Sequence, residues 1–341
     1  MADRRSVLEA VEGFHLAAVV HGLDQLKVLD RLSTPQAPRD LADAIGVDGH
    51  LLRICLDYVA GRSELVDRHG DRFVITESWN DHARALVRQY VGAYGALSVR
   101  VTDVLGAPQD GPHLVDRGEH ARSYAVAPSA ARLVGDIVQQ LGLTPTVDLG
   151  CGTATMLIDL ARRDPDFVGW GVDASGDMCA AARVAAAAEG VGDRVTIVQG
   201  NALDPRQPIE LPTEEVRCLT ATSLLNELWA PDRGPQAVSA WLGALSSVFP
   251  GRALVVADYF GRLGWAPPPW PPQTAVHDLV QALSGQGIPP ADRGPWLEVY
   301  QDARSQLLHM VEDEDGSFFI HLLRLADEGG AAGPAPPSPA R

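Results

Sequence analysis

The chain has 341 residues, 21% of them charged and 46% hydrophobic, the balance of a globular protein long enough for two domains. A formal charge of −16 and a single lysine, Lys27, argue against nucleic acid as a partner, because phosphate backbones are held mainly by clustered Lys and Arg. Four cysteines (Cys55, Cys151, Cys179, Cys218) in no paired or metal-knuckle spacing, no leader-like segment and no apolar run of membrane-spanning length give the expectation of a cytoplasmic protein.

Residues 7–32 carry Leu8, Val11, Ala18, Leu23, Leu26 and Leu29 at roughly helical spacing, which predicts a helix with a wide apolar face. The segment 38–61 reads as a short helix, a tight Gly-Val turn and a second helix capped by Asp48. Residues 64–77 read as two strands around His69-Gly70-Asp71-Arg72. Helix, turn, helix and hairpin in that order predict a winged helix. Residues 80 to about 140 look helical and connective. From residue 146 strands and helices alternate, which predicts an α/β domain with a parallel sheet. The run 305–326 reads as a closing hairpin about Glu314-Asp315-Gly316, and the low-complexity tail 327–341 as disordered.

The stretch TVDLGCGTAT (146–155) places two glycines directly after an apolar strand. A dinucleotide fingerprint needs a third small residue, and this frame offers Thr155 instead. Asp148, two residues before Gly150, would crowd a pyrophosphate but accepts hydrogen bonds from a cationic ammonium, directly or through water. Asp173 ends the next strand, 21 residues after Gly152, where an acid takes both hydroxyls of a ribose. A third strand ends in QGNAL, placing Asn201 and Ala202 to read an adenine edge. Together the three strand ends outline S-adenosyl-L-methionine (SAM).

On these residues, 146–325 resembles a class I SAM-dependent methyltransferase domain, a Rossmann-like parallel sheet closed by an antiparallel hairpin. The segment ahead of it resembles the winged-helix dimerisation domain of the small-molecule O-methyltransferases. The resemblance implies residues 1–90 as dimerisation domain, 91–140 as a helical linker contributing to the active site, and 141–326 as the cofactor domain. By it Gly150 and Gly152 approach the methionine part of SAM, Asp173 the ribose, and Asn201 with Ala202 the adenine. Met178 packs on the adenine or in the core. Tyr124 closes over the cofactor or is a structural aromatic. A homodimer is implied, with a small-molecule acceptor and no nucleic acid or membrane.

The chain departs from that family where its chemistry lies. Relatives carry a His-Asp pair and then Trp after the fourth strand, the His taking the acceptor's proton. This chain reads TATSLLNELWAPD, with Asn226 and Glu227 at that place and Trp229 displaced by one. Thr222 stands where many relatives have a lysine near the cofactor carboxylate, and Ser223 beside it belongs to the cofactor-binding set. Glu227 reads as a replacement base, if burial raises its pKa, or as a local cap. His277, in QTAVHDLVQALSGQG, sits where the family roofs its substrate pocket, and reads as catalytic or structural. Asn226, Glu227 and His277 are the catalytic candidates. Oxygen and imidazole ligands also suit a metal acting as Lewis acid, although no metal is expected. His309 reads as core or rim. The stiff run WAPPPWPP (265–272) lines the acceptor pocket with Trp265 and Trp270 or is a connector.

The expected function is methyl transfer from SAM to a small acceptor by in-line displacement, on oxygen or carbon, in specialised metabolism. An enzyme of this fold catalysing a cyclisation without methylation stays open. A DNA-binding regulator is the third reading, opposed by 9 Lys/Arg against 13 Asp/Glu in residues 1–80.

Overall fold

The computed structural model describes residues 5–124, 129–206, 211–229, 234–313 and 317–327. The chain divides into two compact units, Met1–Ala127 and Pro128–Arg341. The turn Glu314-Asp315-Gly316 lies outside the described residues, as do 328–341 of the tail.

The first unit opens with α1 (Val7–Gln25) and α2 (Val28–Arg31). Ser6 and Glu9 form a reciprocal capping box on α1, satisfying amides that the first turn leaves without partners. Next come α3 (Pro38–Ile45) and α4 (Gly49–Arg62), separated by Gly46 at φ +75°. Asp48 accepts the Leu51 amide at 2.8 Å and caps α4. β1 (Val66–His69) and β2 (Arg72–Ile75) then pair antiparallel. Leu23, Leu29, Leu32, Leu41, Leu56, Val59 and Phe73 make the small core of this arrangement. Buried Asp24 is neutralised by Arg88 at 2.7 Å and Arg84 at 3.3 Å. Only the C-terminal end of the apolar face read on α1 is buried. Val7 is 82% and Leu8 77% exposed, and Val11 and Phe14 are about half exposed. The unit continues through α5 (Asp81–Val87), a π-helical segment at Arg88–Ala93, α6 (Gly95–Val99), α7 (Val101–Gly106), a 3₁₀ segment at Pro108–Leu114 and α8 (Arg117–Tyr124).

The second unit alternates as its sequence pattern requires. Its elements are α9 (Ser129–Gln140), β3 (Thr146–Leu149), α10 (Thr155–Arg163), β4 (Gly169–Asp173), α11 (Gly176–Ala188), β5 (Val195–Gln199), β6 (Cys218–Thr222), α12 (Gly234–Val248) and β7 (Ala253–Tyr259). After them come α13 (Pro272–Leu283), α14 (Gly294–Asp302), β8 (Gln306–Glu312) and β9 (Phe318–Arg324). The sheet order is β5-β4-β3-β6-β7-β9-β8. The first five strands are parallel, and β9 runs antiparallel to both β7 and β8. Central strands are apolar on both faces because helices cover both. Val147, Leu219, Leu254 and Val256 pack toward Trp241, Leu242 and Leu245, while Cys218, Val255 and Ala257 pack toward Val134 and Val138. Truncating one such side chain, Leu219→Ala for instance, costs about 2–5 kcal/mol.

Parallel register brings Leu149, Val172, Ala221 and Val256 level, so five strands end on one edge of the sheet. In open α/β sheets ligands bind at that edge. Among the described residues no helix is long and apolar enough to cross a membrane.

Candidate active site

At the end of β3 the chain reverses through Gly150 at φ +74° and Gly152 at φ +53°. The amides of Gly150 and Cys151 both donate to the Val172 carbonyl, at 2.8 and 3.0 Å, which ties the turn to β4. A Cβ added at Gly152 meets nothing within 4 Å, so a ligand can approach this backbone closely. Asp173, at the end of β4, accepts the Gly152 amide at 2.9 Å through Oδ2 and the Ser175 amide at 2.8 Å through Oδ1. Each carboxylate oxygen has two lone pairs, so each retains one for a vicinal diol. The glycine turn and the acid read 21 residues apart are thus one hydrogen-bonded unit.

Asp148 is buried in β3, with Oδ1 taking the Thr220 hydroxyl at 2.7 Å. Burial pushes its carboxyl up to about 7, against the opposing pull of that hydrogen bond. A cation arriving beside it would restore the charge. Asn201 bends the loop after β5 by accepting the Leu203 amide at 3.0 Å, and Trp241 holds the Ala202 carbonyl at 2.9 Å. Met178 is buried in the first turn of α11, its amide capped by Ser175. Ser223 has φ +50° and donates its amide to the Ala257 carbonyl at 2.8 Å, where β6 ends. Tyr124 is the last residue of α8 in the first unit. Burial raises the thiols of Cys151, Cys179 and Cys218, so none supplies a thiolate near neutrality.

β6 leads into a 3₁₀ turn, Leu225–Trp229, that carries the residues standing in for the family's His-Asp pair. Asp258, on β7, is fully buried and accepts the Asn226 amide through Oδ2 at 3.0 Å and the Tyr259 amide through Oδ1 at 2.9 Å. Burial raises its carboxyl to about 7, with the charge of Glu227 adding to the rise. Asn226 is itself buried, whereas Glu227 is half-buried and its Oε1 accepts the side-chain amide of Gln286 at 3.2 Å.

His277 lies on α13. Its Nε2 is 3.1 Å from Gln281 Nε2, and its ring meets Tyr259 edge-on with centroids 4.7 Å apart. Burial lowers its pKa to about 4, so the imidazole is neutral at pH 7. Buried Asp278 pins the chain leaving β7 by accepting the amides of Arg262 and Leu263, at 2.6 and 2.8 Å. Glu227 and His277 are thereby linked through Gln286, whose amide donates to the Gln281 carbonyl at 2.9 Å, and through Gln281. Trp265 meets Trp229 edge-on at 6.4 Å, while Trp270 donates to the Ala266 carbonyl. His309 is exposed on β8, which leaves rim and removes core from its two readings. Among the described residues no group of three or more His, Cys, Asp and Glu side chains has a metal-holding arrangement.

Thr220, Asp258, Asp278, Gln281 and Gln286 were not among the sequence candidates. Asp258 had a signal available, an acid near the end of an apolar strand as Asp173 is. Gln281 stands four residues after His277, on the same helix face. Gln286 had no such signal.

Residues 146–246 match a family model described as a methyltransferase domain. Across nearly the whole chain the fold matches the solved structure of mitomycin 7-O-methyltransferase MmcR, with a TM-score of 0.69 at 17% identity, covering 94% of this chain and 97% of that one. The chain has the class I methyltransferase fold. An O-methyltransferase family protein from Burkholderia thailandensis gives 0.66 at 21% identity, covering 96% and 100%. The 2-ketoarginine methyltransferase of Streptomyces arginensis is 29% identical over 248 residues, 70% of this chain and 63% of that protein. This chain thus aligns with under two thirds of that relative's length. The methyltransferase domain implies SAM as cofactor, and the similar calicheamicin methyltransferase CalO1 and PigF were solved with its product, S-adenosylhomocysteine. The open approach at Gly152 and the remaining lone pairs of Asp173 fit that group.

Proposed function

We propose that the protein transfers a methyl group from SAM to a small-molecule acceptor in natural-product metabolism. The observation that carries this reading is the Asp173 carboxylate, clamped by the Gly152 and Ser175 amides. It offers two acceptors to a ribose beside a turn open to close approach. Gly150, Gly152 and Asp148 take the methionine end, and Asn201, Ala202 and Met178 the adenine, with Ser223 completing the cofactor set. SAM supplies an electrophilic methyl carbon on a sulfonium, which needs alignment and exclusion of water more than acid catalysis.

Asn226, Glu227 and His277 form the acceptor side. His277 is a neutral imidazole at pH 7, and the Glu227 carboxylate provides negative charge. The named substrate of the Streptomyces arginensis relative is 2-ketoarginine, and a 2-oxo acid of that kind is the first acceptor to try. The exposed Val7, Leu8, Val11 and Phe14 on α1 support a homodimer through the first unit, which we read as a winged-helix dimerisation domain. A formal charge of −16 argues against nucleic acid as a partner, and the four cysteines in no paired spacing suit a reduced, cytoplasmic compartment. Calorimetry with SAM, S-adenosylhomocysteine and NADH tests the cofactor. Heat with NADH alone would end this reading. Mass spectrometry of the product tests the reaction, since methylation adds one CH2 and a cyclisation does not.

A further inference from the structure

The 3₁₀ turn assigned to the acceptor is mostly closed off. Asn226 is 1%, Leu228 5% and Trp229 3% exposed, and Glu227 is half-buried. An acceptor reaches this turn only if a neighbouring segment moves, and the contacts around the turn point to one. The Glu227 carboxylate accepts the side-chain amide of Gln286 at 3.2 Å. Two residues further on, the Ile288 carbonyl accepts the Trp265 indole N–H at 2.9 Å. The Trp265 ring meets Trp229 edge-on at 6.4 Å, and Trp229 shares its turn with Glu227. These five residues close a ring, and Trp265 is its exposed member, at 48%.

Trp265 belongs to the strap 264–271, GWAPPPWP, which joins β7 to α13. Four of these eight residues are proline and lack an N–H, so the strap has few donors with which to hold its surroundings. The amides of Trp265 and Ala266 turn back on the Arg262 carbonyl, at 3.2 and 2.9 Å, and the Trp270 indole turns back on Ala266. Among the described residues, the bond from Trp265 to Ile288 is the only hydrogen bond from 264–270 to a distant segment. The chain just before the strap is fixed. Asp278 accepts the amides of Arg262 and Leu263, at 2.6 and 2.8 Å, and a Cβ added at Gly261 would run into the Pro289 carbonyl. Between this anchor and the strap stands Gly264 at φ +83°, where an added Cβ would meet nothing within 4 Å. The prolines make the strap stiff, and the glycine gives it a joint.

We propose that Trp265 is the latch of a gate on the acceptor side, a flap made by the strap 264–271 and hinged at Gly264 and at the start of α13. This deepens the methyltransferase reading and rests on it, by assigning the way into the acceptor site. Opening breaks one hydrogen bond between neutral groups and one edge-on ring contact, a light closure that thermal motion overcomes. Closing returns the indole to Trp229 and Ile288 and keeps water from the turn while the methyl group passes.

The test reads access to the turn and needs no acceptor. In the full chain carrying Asn226→Cys, the new thiol is labelled with methyl methanethiosulfonate and its peptide is followed by mass spectrometry. Adding Trp265→Ala should raise the labelling rate about tenfold or more, the combined scale of the lost hydrogen bond and ring contact. Trp265→Phe keeps a ring without the N–H and should fall between. Hydrogen exchange needs no cysteine and decides the matter if the Asn226→Cys chain fails to fold. Amides of 224–229 should exchange faster with Trp265→Ala than in the wild type, while those of β3 keep their rate. Should Trp265→Ala not fold, Trp265→Phe carries both comparisons. A labelling rate or an exchange rate at 224–229 that ignores these substitutions overturns the gate. Equal acceleration in β3 also overturns it, since the effect is then general loosening. In each of these cases the methyltransferase reading survives if S-adenosylhomocysteine binds in calorimetry. Failure of that ligand to bind the wild type would overturn the reading, and with it the assignment of the gate to a methyl acceptor.

Discussion

The carboxyl edge of the sheet has two halves built on different logic. At β3, β4 and β5 the groups we assign to the cofactor are backbone turns and one carboxylate clamped by amides, held within a few residues of each strand end. At β6 and β7 the corresponding groups are side chains on a 3₁₀ turn and a distant helix, joined through two glutamines. The first half rests on backbone geometry close to the strand ends. The second can be re-equipped, because its polar groups come from separate segments of chain.

The sharpest way to break this contrast is Asp173→Ala. It removes the diol acceptor and unties the glycine turn, so SAM affinity should fall about 100-fold or more by calorimetry. Retained affinity would mean that the two halves do not divide as described. Glu227→Gln comes next, with SAM affinity unchanged and kcat/KM lowered about 100-fold on a productive acceptor. An equal loss in cofactor binding would merge the halves again.

A smaller effect concerns pH. The folded-state carboxyls of Asp148 and Asp258 are both raised to about 7, and a carboxyl raised on folding favours the native state while protonated. That contribution is fully present below the ordinary carboxylate range near 4 and is lost as pH rises through about 7. Urea melts of the apoprotein should therefore show stability falling over that window, by an upper bound of roughly 4 kcal/mol per group. Asp148→Asn should remove about half of the slope, and saturating SAM should flatten it by placing its ammonium beside Asp148. A slope unchanged in the variant would show that Asp148 ionises freely. The least effect is expected from Thr220→Val, about 1 kcal/mol in the same melts, for loss of the 2.7 Å hydrogen bond to Asp148.

The contrast also explains what could be read from sequence. Gly150, Gly152, Asp173 and Asn201, which we assign to the cofactor, stand at or just after successive strand ends, so their spacing along the chain carries their geometry. The parallel sheet followed from alternation, with the closing hairpin visible in 305–326, whereas the strand order came only from the structure. The acceptor side was only half legible. Asn226 and Glu227 were found because a family position drew attention to them. Their supports were not, since Asp258 lies 32 residues from Asn226 and Gln286 lies 59 from Glu227. Contacts at such separations leave no periodicity. The single helix read over 7–32 is broken at Lys27, which takes φ +55°, and sequence cannot say that Val7 and Leu8 are left outside the core.

The place of β9 in the sheet has a consequence for how the molecule is made. This strand, residues 318–324, slots between β7 and β8 and brings Phe319 and Leu323 into the main core. Until it arrives β7 has an unpaired side and β8 has no neighbour, a state open to pairing with other chains. Synthesis must pass residue 324 before the domain can seal. A chain stopped before residue 318 should be captured by chaperones or aggregate, although every residue discussed for cofactor and acceptor would already be present.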